Sequence, residues 1–175
     1  MVHFTKILLL ASTAAALILP RDAVTVENDI TQRIGPQWTT LSNNINAYPA
    51  SGLPGAFVIH DDVLSLIAIT NEATADVETA GSFSEADGTT ILADLQILVP
   101  TFLGALSAIE NQAESWANIP GGRAVVLSDF QGLNSSFNGF FDALIAASPA
   151  DLVPAITSIQ TQVAEGFNNA IAPYS

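Results

Sequence analysis

Apolar residues recur along most of the chain at alternating intervals of three and four, the period of one face of an α-helix. The sharpest stripe runs Val126, Phe130, Leu133, Phe137, Phe140 and Leu144, widened by Phe141. Ser128, Gln131, Ser135, Asn138 and Asp142 fall on the opposite face. A second stripe runs Leu92, Leu95, Val99, Phe102, Leu106 and Ile109. A third runs Ile30, Ile34, Trp38, Leu41 and Ile45, and a fourth Leu152, Ile156, Ile159, Val163, Phe167 and Ile171. Between them Ile59, Val63, Leu64, Leu66, Ile67 and Val77 form two apolar columns side by side, which predicts a helix buried over a wide arc. Period-two alternation is absent from this pattern, so no strand is predicted.

Turn residues divide the stripes into elements. The first helix is predicted over 24–47, with Gly35-Pro36 kinking it or splitting off its first turns. Residues 48–55 hold two prolines and two glycines and read as a loop. The second helix covers 56–78. The third starts at Ser84-Glu85-Ala86-Asp87, which has capping-box spacing with Asp at the fourth position, and runs to Asn118-Ile119-Pro120-Gly121-Gly122. Pro100 is expected to kink it. The fourth helix covers 123–147. The fifth opens at Ser148-Pro149-Ala150-Asp151, read as an N-cap serine with proline at the first helical position, and ends at Pro173. Five helices of about 20–25 residues, each about 30–38 Å long, joined by short loops, predict an all-α, five-helix up-and-down bundle.

The start of the chain departs from this pattern. His3 and Lys6 precede an unbroken apolar or small run over 7–19, with Ala14-Ala15-Ala16 in position for cleavage. Residues 1–21 read as a secretion signal and processing segment, and 22–175 as a single domain. Removing that segment sharpens the charge. It holds Lys6 and Arg21 but none of the 17 acidic residues, so Arg33 and Arg123 stand against 17 acids, a net charge of −15. Such a surface repels nucleic acid phosphates, so nucleic acid is not an expected partner. Cysteine is absent, which removes disulfides and thiol chemistry and leaves packing to hold a secreted fold.

Little in the sequence carries chemistry. His60, in Ile59-His60-Asp61-Asp62, is the one histidine after the signal segment, and no Gly-x-Ser-x-Gly elbow accompanies it. It reads as a helix residue paired to a nearby acid. One histidine and no cysteine give too few ligands for a zinc site, and no alternating oxygen-ligand loop for calcium is found. Gly121-Gly122 lacks the strand and the Lys-Ser/Thr signature of a phosphate loop. The expectation is therefore no catalytic residue, no metal and no cofactor. Asn134-Ser135-Ser136 is an N-glycosylation acceptor sequence.

The apolar stripes remain. They either fill an ordinary core or line an elongated gap that suits an acyl chain. The lining set expected for such a gap is Leu64 and Ile67 on the second helix, Phe102 and Leu106 on the third, Phe130, Phe137 and Phe141 on the fourth, and Ile156 on the fifth.

Four local segments carry a resemblance: Ile45-Asn46-Ala47-Tyr48-Pro49, Ile59-His60-Asp61-Asp62, Ser84-Glu85-Ala86-Asp87, and the run from Ala143 through Ser148-Pro149-Ala150-Asp151 to Val153. In this order, behind a secretion signal and in a cysteine-free acidic helical chain, they resemble the fungal hydrophobic surface binding protein A family, which includes cell-wall galactomannoproteins. The scarcity of lysine departs from typical members. The resemblance implies a secreted, non-catalytic protein that encloses long-chain fatty acids or other lipids in its bundle, or adsorbs to hydrophobic surfaces. The alternative it implies is a structural or antigenic cell-wall mannoprotein, or a surface adsorber that recruits a secreted esterase such as a cutinase without a stoichiometric ligand.

Overall fold

The structure, a computed structural model, describes residues 21–175. The secretion signal assigned to 1–21 lies outside the described residues, except that Arg21 opens the first helix. In chain order the elements are α1 (Arg21–Asn28), a π-helical stretch (Asp29–Ile34), α2 (Gly35–Ala47), α3 (Gly52–Ala80), α4 (Glu85–Glu110), α5 (Ala113–Ala117), α6 (Gly122–Ala147) and α7 (Val153–Ile171). A 3-10 turn, Ala172–Tyr174, closes the chain. No strand occurs among the described residues. The expected all-α bundle is the observed one, built from five long rods and one short helix.

α1, the π stretch and α2 form one rod. Gly35-Pro36 neither breaks it nor splits off its start. The backbone widens by one residue before the proline, and the Gly35 N–H reaches back to the Ile30 carbonyl. That register places Pro36 in the first turn of α2, where a missing N–H costs least. Pro100 lies on an exposed position within α4, which runs through it. The Ser84 cap forms as expected: its Oγ accepts from the Asp87 N–H at 3.2 Å and donates to Asp87 Oδ2 at 2.6 Å.

Two expectations are corrected. The third predicted helix does not reach residue 117 unbroken. At Asn111-Gln112 the chain bends, because the Gln112 amide donates to the carbonyls of Ile45 at 2.7 Å and Tyr48 at 2.9 Å. The bend makes α5 and buries Trp116 against the Tyr48 ring, with centroids 4.6 Å apart. Ser148 does not cap the last helix either. Residues 148–152 form a turn that packs Leu152 and Pro149 against Gly88 of α4, and α7 starts at Val153 with Pro154 in its first turn.

The rods form a closed ring. α2 lies between α3 and α4, α3 packs on α6, α6 on α7, and α7 returns to α4. Every stripe therefore points to a shared centre. α6 contributes Phe130, Phe137, Phe140 and Phe141, α2 contributes Trp38, α4 Phe102 and α7 Phe167, all buried. The Trp38 ring lies 4.6 Å from Phe102, 5.3 Å from Phe137 and 6.1 Å from Phe167. These are tilted and edge-on contacts, which aromatic quadrupoles favour.

α3 gives the ring smaller side chains: Ala56, Ile59, Val63, Leu66, Thr70, Ala73 and Val77, a single stripe at alternating three and four. Of the second apolar column read from the sequence, Ile67 packs half-buried at the edge of the core and Leu64 stays outside it. Only one arc of a helix can face one centre, and here that arc is taken by the Val63–Leu66 register.

Candidate functional site

The expected lining set divides on inspection. Phe102, Leu106, Phe130, Phe137, Phe141 and Ile156 are all buried at the centre. Phe137 touches Phe102 at 5.4 Å, Phe141 at 6.4 Å and Phe167 at 6.1 Å, so ring packs on ring. Ile67 is half-buried, its Cδ1 beside Gly132 of α6. Leu64 is corrected: it is 47% exposed and faces out of the bundle, about 100° around α3 from inward-facing Val63. Asn134 is half-buried on α6, its Oδ1 accepting from the Asn138 amide at 3.2 Å.

A cleft of about 410 Å³ opens at the end of the ring where α3 and α6 begin. Its walls are Leu53, Ala56, Phe57 and His60 from α3, Trp116 from α5, Ile119 and Pro120 from the connection, and Gly122 and Val125 from α6. The volume falls within the range of about 300–1,000 Å³ usual for small-molecule sites. Local sequence explains its shape. Gly121, at φ +76°, turns the chain into α6. A Cβ on Gly122 would stand 2.6 Å from the Trp116 carbonyl and 2.9 Å from Ile119 Cβ, so only glycine lets the 116–119 turn dock this closely. Ala56 and Trp116 belong to the core, so the cleft floor is continuous with it.

The rim is apolar and open to solvent. Leu53 is 52% exposed, Phe57 61% and Val125 41%. These three exposed apolar side chains gather around one cleft.

Polar groups are few. His60 Nδ1 lies 2.8 Å from Asp129 Oδ2, so the histidine is paired across the helices, to α6, and not to Asp61 or Asp62 beside it. Asp62 instead accepts from Gln37 at 3.1 Å and Asn44 at 2.6 Å, tying α2 to α3. Burial pushes the Asp129 carboxyl up from its ordinary value, and His60 opposes that rise. Trp116 is 2% exposed, and its Nε1 has no hydrogen-bond partner among the described residues. A buried donor left unmade costs about 1–3 kcal/mol, so it calls for a cause. The first turn of α6, at the cleft wall, has no side-chain cap.

Sequence reasoning missed Leu53, Phe57, Trp116 and Val125. Phe57 did leave a trace, since it is a large apolar residue out of register with the Ala56–Ile59–Val63 stripe. Trp116 left none, because its position depends on the bend at Gln112. Among the described residues no group of three or more histidines or acids is placed to hold a metal ion.

Comparisons with known proteins agree on the fold. A family model described as hydrophobic surface binding protein A matches residues 23–146. No curated protein matches the chain. The crystal structure of AfMP4p in complex with palmitic acid superposes with a TM-score of 0.82 at 27% identity, covering 87% of this chain and 99% of that one. Ligand-binding domain 1 of the Penicillium marneffei MP1 protein, complexed with arachidonic acids, gives a TM-score of 0.80 at 17% identity, covering 87% and 99%. Domain 2 of the same protein, with multiple arachidonic acids, gives 0.77 at 15% identity, covering 87% and 96%. At those lower identities the two MP1 domains establish the shared helical fold.

Proposed function

We propose, starting from a chain that belongs to the hydrophobic surface binding protein A family, that this protein is a secreted, non-catalytic binder of long-chain fatty acids. The observation that carries the reading is the apolar cleft of about 410 Å³ on a bundle superposable with a palmitic acid complex. The acyl chain lies along Ala56, Phe57, Ile119 and Val125. Each buried CH₂ contributes about 0.8 kcal/mol, so about ten of them reach micromolar affinity only if little is lost in ordering the ligand. A chain longer than the cleft parts the rings one turn further along α6, where Phe130 leads to Phe137, Phe141, Phe102, Leu106 and Ile156.

The domain takes in residues 22–175, released by removal of the signal segment, and acts outside the cell, with cell-wall association as a further destination. No step of bond making is assigned to it. Ester hydrolysis abolished by His60→Ala would overturn that assignment.

The test is organic extraction of purified protein followed by lipid mass spectrometry, with titration of delipidated protein by fatty acid. Stoichiometric fatty acid and micromolar binding are expected. An empty extract together with no binding would sink the carrier reading.

A second reading is favoured by a specific observation. α3 and α4 are both long and apolar beyond what their buried faces need, and Val58, Leu64 and Ile97 point outward on them. The protein would then adsorb to hydrophobic surfaces through these faces and bring a secreted esterase to them. Depletion onto hydrophobic beads by lipid-free protein, without a stoichiometric ligand, is its signature.

A further inference from the structure

The first rod meets α3 through carboxyl groups, and helical register decides which of them face each other. The two run antiparallel: Gln37 and Asn44 both donate to Asp62, and Arg33, earlier in the rod, reaches Glu72, later in α3. Asp29 lies one turn before Arg33, and Asp76 one turn beyond Glu72. Asp29 is therefore set opposite Asp76, acid against acid. Asp29 is only 3% exposed. Its Oδ1 accepts from Arg33 at 2.7 Å, while its buried Oδ2 has no hydrogen-bond partner among the described residues. Two carboxylates repel, whereas a carboxyl and a carboxylate bond through one proton. Arg33 is the cation at this contact, and it is divided between Asp29 and Glu72. Against α4, the half-buried Glu27 of α1 feels the charges of Asp94 and Asp87.

We propose that α1 is a pH-operated strap, latched to α3 in acid by a proton shared between Asp29 and Asp76 and released as the medium turns neutral, with the π-helical stretch as its hinge. The strap is lightly anchored. α1 has eight residues, of which Ala23 and Val26 are buried while Val24 points outward. A helix of that length does not hold its shape without packing. Asp29 and Arg33 both lie within the π-helical stretch, a backbone form that seldom extends beyond one turn. The direction follows from the two carboxyls. Burial chiefly raises Asp29 above its ordinary value; Arg33 opposes the rise and Asp76 adds to it. Burial, then Asp94 and Asp87, raise Glu27 likewise. Both groups return to their ordinary values when α1 swings into water. The closed strap is thus fully favoured at low pH and loses ground as pH climbs through the raised values. Arg33 keeps Glu72 throughout, so α2 stays docked while α1 moves. Release exposes Ala23 and Val26, apolar core surface that the acid form hides.

Amide hydrogen exchange of the purified protein tests the strap, with rates corrected for the intrinsic pH dependence of exchange. Between about pH 4.5 and about pH 7.5, residues 26–33 are expected to lose protection about tenfold or more relative to α7. Asp76→Asn offers an amide N–H to Asp29 Oδ2 at every pH, and is expected to remove at least half of that loss. The comparison with α7 needs no substitution. Loss of protection in step with α7 would mean that the whole bundle loosens, and would overturn the strap. Protection of residues 26–33 that does not fall with pH would overturn it as well. So would a fall of which more than half survives in Asp76→Asn.

Discussion

Phe137→Ala tests whether the centre of the ring is as closely filled as its geometry says. Phe137 is buried and meets the rings of Trp38 at 5.3 Å, Phe102 at 5.4 Å, Phe167 at 6.1 Å and Phe141 at 6.4 Å. Truncation loses about 2–3 kcal/mol of transfer free energy for a buried phenylalanine. It also opens a void of about 100 Å³, which at about 24 cal/mol per Å³ adds about 2.4 kcal/mol. The four partners come from α2, α4, α6 itself and α7, so no single side chain can collapse into the gap. The expected loss is therefore about 4–5 kcal/mol, a large share of the roughly 5–15 kcal/mol typical of a domain. Urea unfolding followed by circular dichroism measures it. With a slope of about 2 kcal/mol per molar, the midpoint should fall by about 2 M with the slope unchanged. A loss below about 1 kcal/mol at constant slope would refute the reasoning. It would mean that the rings do not bear on one another in solution and that the centre is already open.

Other substitutions probe the remaining joints. Gly122→Ala drives a Cβ to 2.6 Å from the Trp116 carbonyl. It should cost about 1–3 kcal/mol by overpacking and weaken palmitic acid binding, read by thermal melts and titration. Ser84→Ala removes the cap of α4 and should cost about 1 kcal/mol in urea unfolding, with lipid binding unaffected. Burial is the chief cause raising the carboxyls of Asp29, Glu27 and Asp94 above their ordinary values. A carboxyl raised in the folded state binds its proton more readily there than in the unfolded chain. Its contribution is thus complete at low pH and is lost as pH climbs through the raised value. The urea midpoint should fall as pH rises from the ordinary carboxylate range toward neutrality. Arg33→Met leaves Asp29 buried without its 2.7 Å partner, and should cost about 1–3 kcal/mol near pH 7 and less in acid, where Asp29 is protonated.

Much of this molecule was legible along the chain. The inward faces of α2 and α6 and the centre of α7 were read correctly, because helical periodicity is a property of sequence spacing alone, whereas on α4 the structure buries Ile91 and leaves Leu92 and Val99 half-buried. The Ser84 cap was legible for the same reason, since its partner lies three residues away. What periodicity lacks is the angle at which each stripe meets its neighbours. Two columns on α3 looked equally apolar. The closed ring admitted Val63 and Leu66 and turned Leu64 to solvent. The bend at Gln112 depends on backbone carbonyls reached across the fold.

The cleft depends on the same long-range geometry. Asp129 lies 69 positions from His60, and no local pattern joins them. Trp116 enters the site because Gln112 grips the carbonyls that end α2. By itself the sequence determined an acidic, disulfide-free, all-α chain with an aromatic centre. Tertiary structure decided that the phenylalanines pack against one another, and that an apolar cleft opens at the end of the ring where α3 and α6 begin. Periodicity assigns a side chain to a face, whereas a cavity exists only where the faces of separate helices fail to meet.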